Sequence, residues 1–201
     1  MLTAVRAPEA LVDVISVLDA DPDAVLVGGG TTVVPAVTAG TSGFSQVVSL
    51  ARLKESLSGI GVTGDVVRIG ATTTLAAMAR HPALAFLVPA LRLVGSPTLR
   101  STATVGGNFF VAEPYGDVAC CLVALDATCT VLDARGEETI AAEALAAAGL
   151  GRGRVLTDIR FRLPRPGTFR FHKAARRRLN SPSIATIAAV VEETDGIVGE
   201  V

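Results

Sequence analysis

Two short stretches of this chain have the residue types to hold an anion. They are Thr104-Val105-Gly106-Gly107-Asn108, with Asp117 nine residues beyond Asn108, and the earlier Leu26-Val27-Gly28-Gly29-Gly30-Thr31-Thr32-Val33. Adjacent glycines bring bare backbone N–H groups close to a ligand and tolerate positive φ, so each stretch suits an amide concavity for a phosphate. Both leave apolar segments. A pair of such loops points to a ligand with a diphosphate held between separate pieces of the fold, and flavin or nicotinamide dinucleotides are the obvious candidates. Asn108 can donate and accept in the same place. Asp117 either caps the helix that follows it or accepts hydrogen bonds from ligand hydroxyls, as acids do at ribose sites. Gly28-Gly29-Gly30 taken alone needs no ligand, because a tight strand-to-helix turn takes glycine in any case.

Other chemistries fit poorly. Positions 31 to 33 are Thr, Thr and Val where the G-x-G-x-x-G fingerprint wants a third glycine. Residues 46 to 51, Gln-Val-Val-Ser-Leu-Ala, supply no acid about twenty positions on. No glycine loop is followed by G-K-[ST], which disposes of a P-loop. His81 and His172 are the only histidines and neither sits in a nucleophile setting; with Cys120, Cys121 and Cys129 they make no zinc or iron–sulfur pattern. The cysteines read as buried reduced thiols of a cytoplasmic protein.

Half of the 201 residues are hydrophobic, largely Ala and Val, and the net charge is −1. The chain is long enough to bury a real core. No uncharged apolar run is long enough to span a bilayer, and Met1 to Arg6 carry no secretory n-region and h-region. The near-zero charge gives no reason to expect nucleic acid. Arg165, Arg170, Lys173, Arg176, Arg177 and Arg178 nevertheless cluster without an acid among them, and the run at 173–178 reads as a solvated basic surface.

The elements that must position these loops follow from periodicity. Pro8-Glu9 opens a helix with Leu11, Val14, Ile15 and Leu18 on one face, broken at Asp21-Pro22-Asp23. Strands at 24–27 and 46–50 flank a helical turn or two at 31–37, a small β-α-β unit with glycines at the strand-to-helix handover. A hairpin is predicted at 60–62 and 66–69, then helices at 75–80 and 83–94, the second kinked at Pro89. A helix at 118–125 and strands at 128–132, near 139 and at 155–163 complete an antiparallel set. Pro164 and Pro166 mark a boundary. Beyond it lie strands at 168–173 and 184–191, a turn at Asp195-Gly196 and the start of another strand, too little to close a core.

In order along the chain, V-L-V-G-G-G-T-T, R-I-G-A-T-T-T-L-A-A-M, L-R-S-T-A-T-V-G-G-N, P-Y-G-D-V-A, L-V-A-L-D-A and F-H-K-A-A-R-R-R resemble the FAD-binding medium subunits of molybdenum hydroxylases, the family of carbon monoxide dehydrogenase and xanthine dehydrogenase. The resemblance runs from about Val5 to Val201. It implies an α+β fold of the vanillyl-alcohol oxidase type: a small α/β lobe at 1–53, a larger lobe with an antiparallel sheet and helices at 54–165, and an incomplete carboxy-terminal domain at 166–201. It also implies that Leu26 to Val33 and Thr104 to Asn108 hold the FAD pyrophosphate through backbone amides, that Asp117 contacts the FAD, and that Val94 and Leu156 touch the flavin. Lys173 matches a lysine near the ring system. Many relatives carry His, Gln or Asn in the first loop, where this chain has Gly and Thr. The function implied is an electron-transfer subunit. It takes electrons from the [2Fe–2S] clusters of an iron–sulfur small subunit, fed by a molybdopterin large subunit, and passes them to NAD, a quinone or oxygen. An assembly module that has lost flavin and a stand-alone flavin oxidoreductase are the other readings, and no residue is assigned a catalytic role.

Overall fold

The computed structural model describes residues 2–112, 116–177, 181–194 and 197–200. Arg178 of the basic run, Pro114 and Tyr115, and the expected turn at Asp195-Gly196 lie outside them. The chain opens with β1 (Ala4–Arg6), α1 (Leu11–Ala20), β2 (Ala24–Val27), α2 (Val33–Thr38) and β3 (Gln46–Ser49). These strands form a parallel sheet in the order β1-β3-β2. Strand β1 has three residues, too few to show an alternation, and the sequence gives no sign of it. Helix α1 starts at Leu11 rather than at Pro8-Glu9, because Ala10 is still extended. Its buried residues are Val14, Ile15 and Leu18, on the face that periodicity predicts. Asp21 closes the turn after α1 by accepting from Ser45 Oγ and Gln46 Nε2, both at 2.6 Å. The Ser45 bond, then the Gln46 bond, hold its carboxyl below the usual range.

From β4 (Ile60–Thr63) and β5 (Val66–Gly70) onward the pairing turns antiparallel. With β6 (Thr128–Asp133), β7 (Gly136–Ala141) and β8 (Val155–Arg162) they make a five-stranded sheet in the order β4-β5-β8-β6-β7. Between β5 and β6 run α3 (Leu75–Arg80), α4 (Val88–Leu91), α5 (Pro97–Thr102), α6 (Val105–Phe109) and α7 (Asp117–Ala124), and α8 (Ala142–Ala148) follows β7. The expected helix at 83–94 is instead a 3₁₀ turn over Pro82–Leu87 followed by α4. Leu84 leaves helical dihedrals at φ −103°, and Pro89 sits in the first turn of α4, where its missing N–H costs nothing. Helices α5 and α6 are absent from the sequence reading. Each is announced by a hydroxyl cap: Ser96 Oγ accepts from Leu99 N at 3.1 Å and Thr104 Oγ1 from Gly107 N at 3.1 Å.

The larger core gathers Val67, Ile69, Leu75, Met78, Leu91, Val105, Leu122, Cys129 and Ile159 between sheet and helices. A smaller core joins α1 and β3 to Leu53, Leu57 and Val155, so the first residue of β8 closes the small lobe. Cys121 and Cys129 are buried free thiols, and loss of solvation pushes the Cys129 thiol up to about 12. Beyond Leu163, β9 (Phe169–Ala175) and β10 (Ser183–Val190) form an antiparallel ribbon, followed by β11 (Glu192–Thr194) and β12 (Ile197–Glu200). The ribbon makes no core of its own. Phe169, Phe171, Ala188 and Val190 pack against the larger one, with Phe169 edge-on to Phe86 at 5.2 Å.

Candidate functional site

The chain leaves β2 at Val27, bends through Gly28 and Gly29, and enters α2 after Gly30, whose φ is +71°. Gly28 and Gly29 have no positive φ; glycine is demanded there by close approach. A Cβ on Gly29 would stand 2.1 Å from the Thr102 carbonyl oxygen, and one on Gly28 would stand 2.8 Å from Thr104 Oγ1. The two glycine stretches, more than seventy residues apart in sequence, are therefore packed against each other. Among the described residues, the amides of Gly28, Gly29 and Thr31 have no hydrogen-bond partner.

The second stretch behaves differently. Thr104 is the N-cap of α6, and Val105 to Asn108 are its first four helical residues. Their amides are all engaged: Val105 N donates to Thr73 O at 2.8 Å, Gly106 N to Ala71 O at 2.9 Å, Gly107 N to Thr104 Oγ1 at 3.1 Å and Asn108 N to Thr104 O at 2.9 Å. The expectation that both loops present bare amides is thus corrected, since here only the first does. Gly106 is required for room, because a Cβ there would meet Ala71 O at 2.9 Å. The Asn108 side chain, 7 % exposed, points a buried Oδ1 that no group of the chain satisfies. A buried orphan acceptor is costly and marks a place where a donor is wanted.

Cavities flank the contact between the loops. One, of about 580 Å³, is lined by Leu26 to Val33, Thr104, Gly106, Gly107, Leu156 and the turn at 150–154. The other, of about 560 Å³, is lined by Thr31, Thr32, Val94, Asn108, Asp117, Lys173 and Ser181. Thr31, Thr32 and Val111 border both, so the first loop is the sill between them. Every sequence-predicted site residue except Val105, which is fully buried in the larger core, lines one cavity or the other. Leu156 and Val94 fall on opposite sides.

Asp117 begins α7, where the positive end of the helix favours a carboxylate. Lys173 Nζ of β9 donates to its Oδ2 at 2.6 Å and Thr186 Oγ1 of β10 to its Oδ1 at 2.9 Å. The Asp117 side chain is 2 % exposed and that of Lys173 6 %. Lys173 is therefore no part of a solvated basic surface; it is the buried counter-ion that fastens the ribbon to α7. Thr186 is missing from the sequence reading because a lone threonine in an apolar strand carries no local signal. Arg100 is missing too: its Nη1 donates to Val94 O at 3.0 Å and Gly95 O at 2.7 Å, fixing the turn that borders the second cavity.

Residues 3–165 match the family described as the FAD binding domain in molybdopterin dehydrogenase, and the chain belongs to that family. It is 27 % identical to the nicotine 6-hydroxylase medium subunit of Paenarthrobacter nicotinovorans, over all of this chain and 73 % of that one. It is 26 % identical to the carbon monoxide dehydrogenase medium chain of Afipia carboxidovorans, over 94 % of this chain and 68 % of that one. In fold it superposes on a chain of the carbon monoxide dehydrogenase of Hydrogenophaga pseudoflava with a TM-score of 0.91 at 23 % identity, covering all of this chain and 72 % of that one. Among the described residues no helix is long and apolar enough to cross a membrane, and no His, Cys, Asp and Glu group is placed to hold a metal ion.

Proposed function

We propose that this chain binds one FAD across the sill between the two cavities and serves as the flavin subunit of a molybdenum hydroxylase. The observation that carries the reading is the contact of the two glycine stretches, which leaves the unpartnered amides of Gly28, Gly29 and Thr31 between the cavities. Such amides suit a diphosphate, and the orphan Asn108 Oδ1 at the wall of the second cavity suits a ligand N–H or O–H. The residues present therefore fit the cofactor.

In this reading the lobes at 1–53 and 54–165, arranged as in the vanillyl-alcohol oxidase type, close on the cofactor from either side. Gly28, Gly29 and Thr31 bind the diphosphate, Gly106 and Gly107 leave room for it, and Leu26, Leu156 and Val94 supply apolar walls. Asp117 and Lys173 enter as a neutralised pair and bring no net charge. Bound FAD supplies the redox chemistry, and the protein supplies binding, orientation and exclusion of water. The partners in this reading are an iron–sulfur small subunit and a molybdopterin large subunit, with NAD, a quinone or oxygen as final acceptor. Purified protein is expected to carry flavin absorbance that denaturation releases as FAD. A colourless protein that leaves the fluorescence of added FAD unchanged would overturn the reading.

A further inference from the structure

Resting on that FAD reading, we infer that Arg100 is a positioning residue for the cofactor: its guanidinium gathers three backbone carbonyls of the turn after α4 and so holds one wall of the second cavity in the shape that FAD meets. Arg100 Nη1 donates to Gly95 O at 2.7 Å, to Val94 O at 3.0 Å and to Arg92 O at 3.3 Å. A single nitrogen thus ties residues 92, 94 and 95 together. Among the described residues, no other group donates to these three oxygens. They need a donor because α4 stops at Leu91 and unwinds through tight turns, with Leu93 N on Ala90 O and Val94 N on Leu91 O, and carbonyls past a helix end have no intrahelical partner. The reach of the clamp is set by α5. Side chains lean back toward the start of their own helix, and Ser96 caps α5 immediately after the turn, so Arg100 is carried back over residues 92–95.

Leu93, Val94, Gly95 and Ser96 all line the second cavity, together with Asn108 and Asp117. Arg100 does not line it, and therefore acts through the turn. Gly95 holds φ of +51°, and a Cβ there would stand 2.9 Å from Leu99 Cδ2, so Leu99 packs onto the turn while its neighbour fastens the carbonyls. At its other end α5 reaches Thr102, whose carbonyl oxygen is the atom that a Cβ on Gly29 would meet at 2.1 Å. One six-residue helix thus carries both the clamp on the cavity wall and the contact with the first glycine loop. The bonds to Val94 O and Gly95 O are part-buried, and oxygens that lose a charged donor where water is scarce bear the full cost of desolvation. Without the guanidinium the turn moves to satisfy them, and the wall moves with it.

The test is a fluorescence titration of flavin-stripped protein with FAD, in the wild type, Arg100→Ala, Arg100→Lys, Val94→Ala and the double variant of Arg100→Ala with Val94→Ala, with urea unfolding of each apoprotein alongside. Arg100→Ala should weaken FAD about tenfold, the size of one lost charged hydrogen bond. Arg100→Lys should lose less, because an ammonium keeps the charge and its donors on a shorter stem. The double variant should lose far less than the product of the single losses, since both changes act on the same turn. The visible absorption band of FAD bound to Arg100→Ala should shift as it does in Val94→Ala. Millimolar guanidinium should restore the affinity of Arg100→Ala, and sodium chloride at the same ionic strength should not. The assignment is overturned if Arg100→Ala binds FAD as the wild type does, if the two losses multiply, or if guanidinium restores nothing in a variant that urea unfolding shows to be folded. Should Arg100→Ala not fold, Arg100→Lys decides, and wild-type affinity with a wild-type spectrum there would overturn it. Failure of the wild type to bind FAD would overturn the FAD reading and, with it, this assignment.

Discussion

Gly29→Ala is expected to yield a protein that no longer retains FAD. The added methyl would stand 2.1 Å from the Thr102 carbonyl oxygen, 2.9 Å from its carbon and 3.1 Å from Ala103 Cα. All three are backbone atoms, so no rotamer change relieves the clash, and the two glycine stretches must separate. Overpacking of this kind costs on the order of 1–3 kcal/mol in stability, occasionally more. The effect on binding should be larger, because the free amides of Gly28 and Gly29 lose their position against the second stretch. A weakening of FAD by roughly a hundredfold or more, about 2.7 kcal/mol, is expected by fluorescence titration. Gly43→Ala is the control: its Cβ meets nothing within 4 Å, and both stability and FAD affinity should stay as in the wild type. Equal behaviour of the two variants would show that the stretches are not in contact.

The second large effect is expected from Asp117→Leu. Both carboxylate oxygens are engaged, by Lys173 and by Thr186, and the site is almost wholly buried. Removing the acid strands an ammonium group in the interior, which costs about 3–5 kcal/mol when one partner of a buried pair is lost. The ribbon of β9 and β10 should loosen first, since this pair ties it to α7. Combining Asp117→Leu with Lys173→Met removes both charges and should recover most of the loss in urea unfolding. A cost below about 1 kcal/mol for the single variant, the range of exposed pairs, would mean that Lys173 reaches solvent.

Much of this fold is legible in the sequence, and the exceptions have physical causes. The α1 face of Val14, Ile15 and Leu18, the hairpin of β4 and β5, and strands β2, β6 and β8 follow from apolar periodicity and turn residues. The segment 82–109 does not, because its helices are short and are set by caps and prolines: Ser96-Pro97 starts α5 and Thr104 starts α6. The second glycine stretch looks like a loop because its glycines weaken helix propensity, yet Gly106 fits only because nothing larger passes Ala71. Residue type alone singles out Gly28 to Thr32, Asn108 and Asp117 as candidate-site residues. Lys173 reads both as part of a basic run and, by resemblance, as a residue near the flavin ring; its burial is not legible locally, since it depends on β9 pairing with β10 and folding over α7, contacts set by distant sequence.

The backbone amides themselves report most directly whether the first loop cradles the diphosphate. In two-dimensional ¹H–¹⁵N spectra recorded as FAD is added to ¹⁵N-labelled protein, the signals of Gly28, Gly29 and Thr31 should move most. Those of Val105 to Asn108, already bonded within the chain, should move little. Unshifted signals at Gly28, Gly29 and Thr31 in protein saturated with FAD would contradict the diphosphate site.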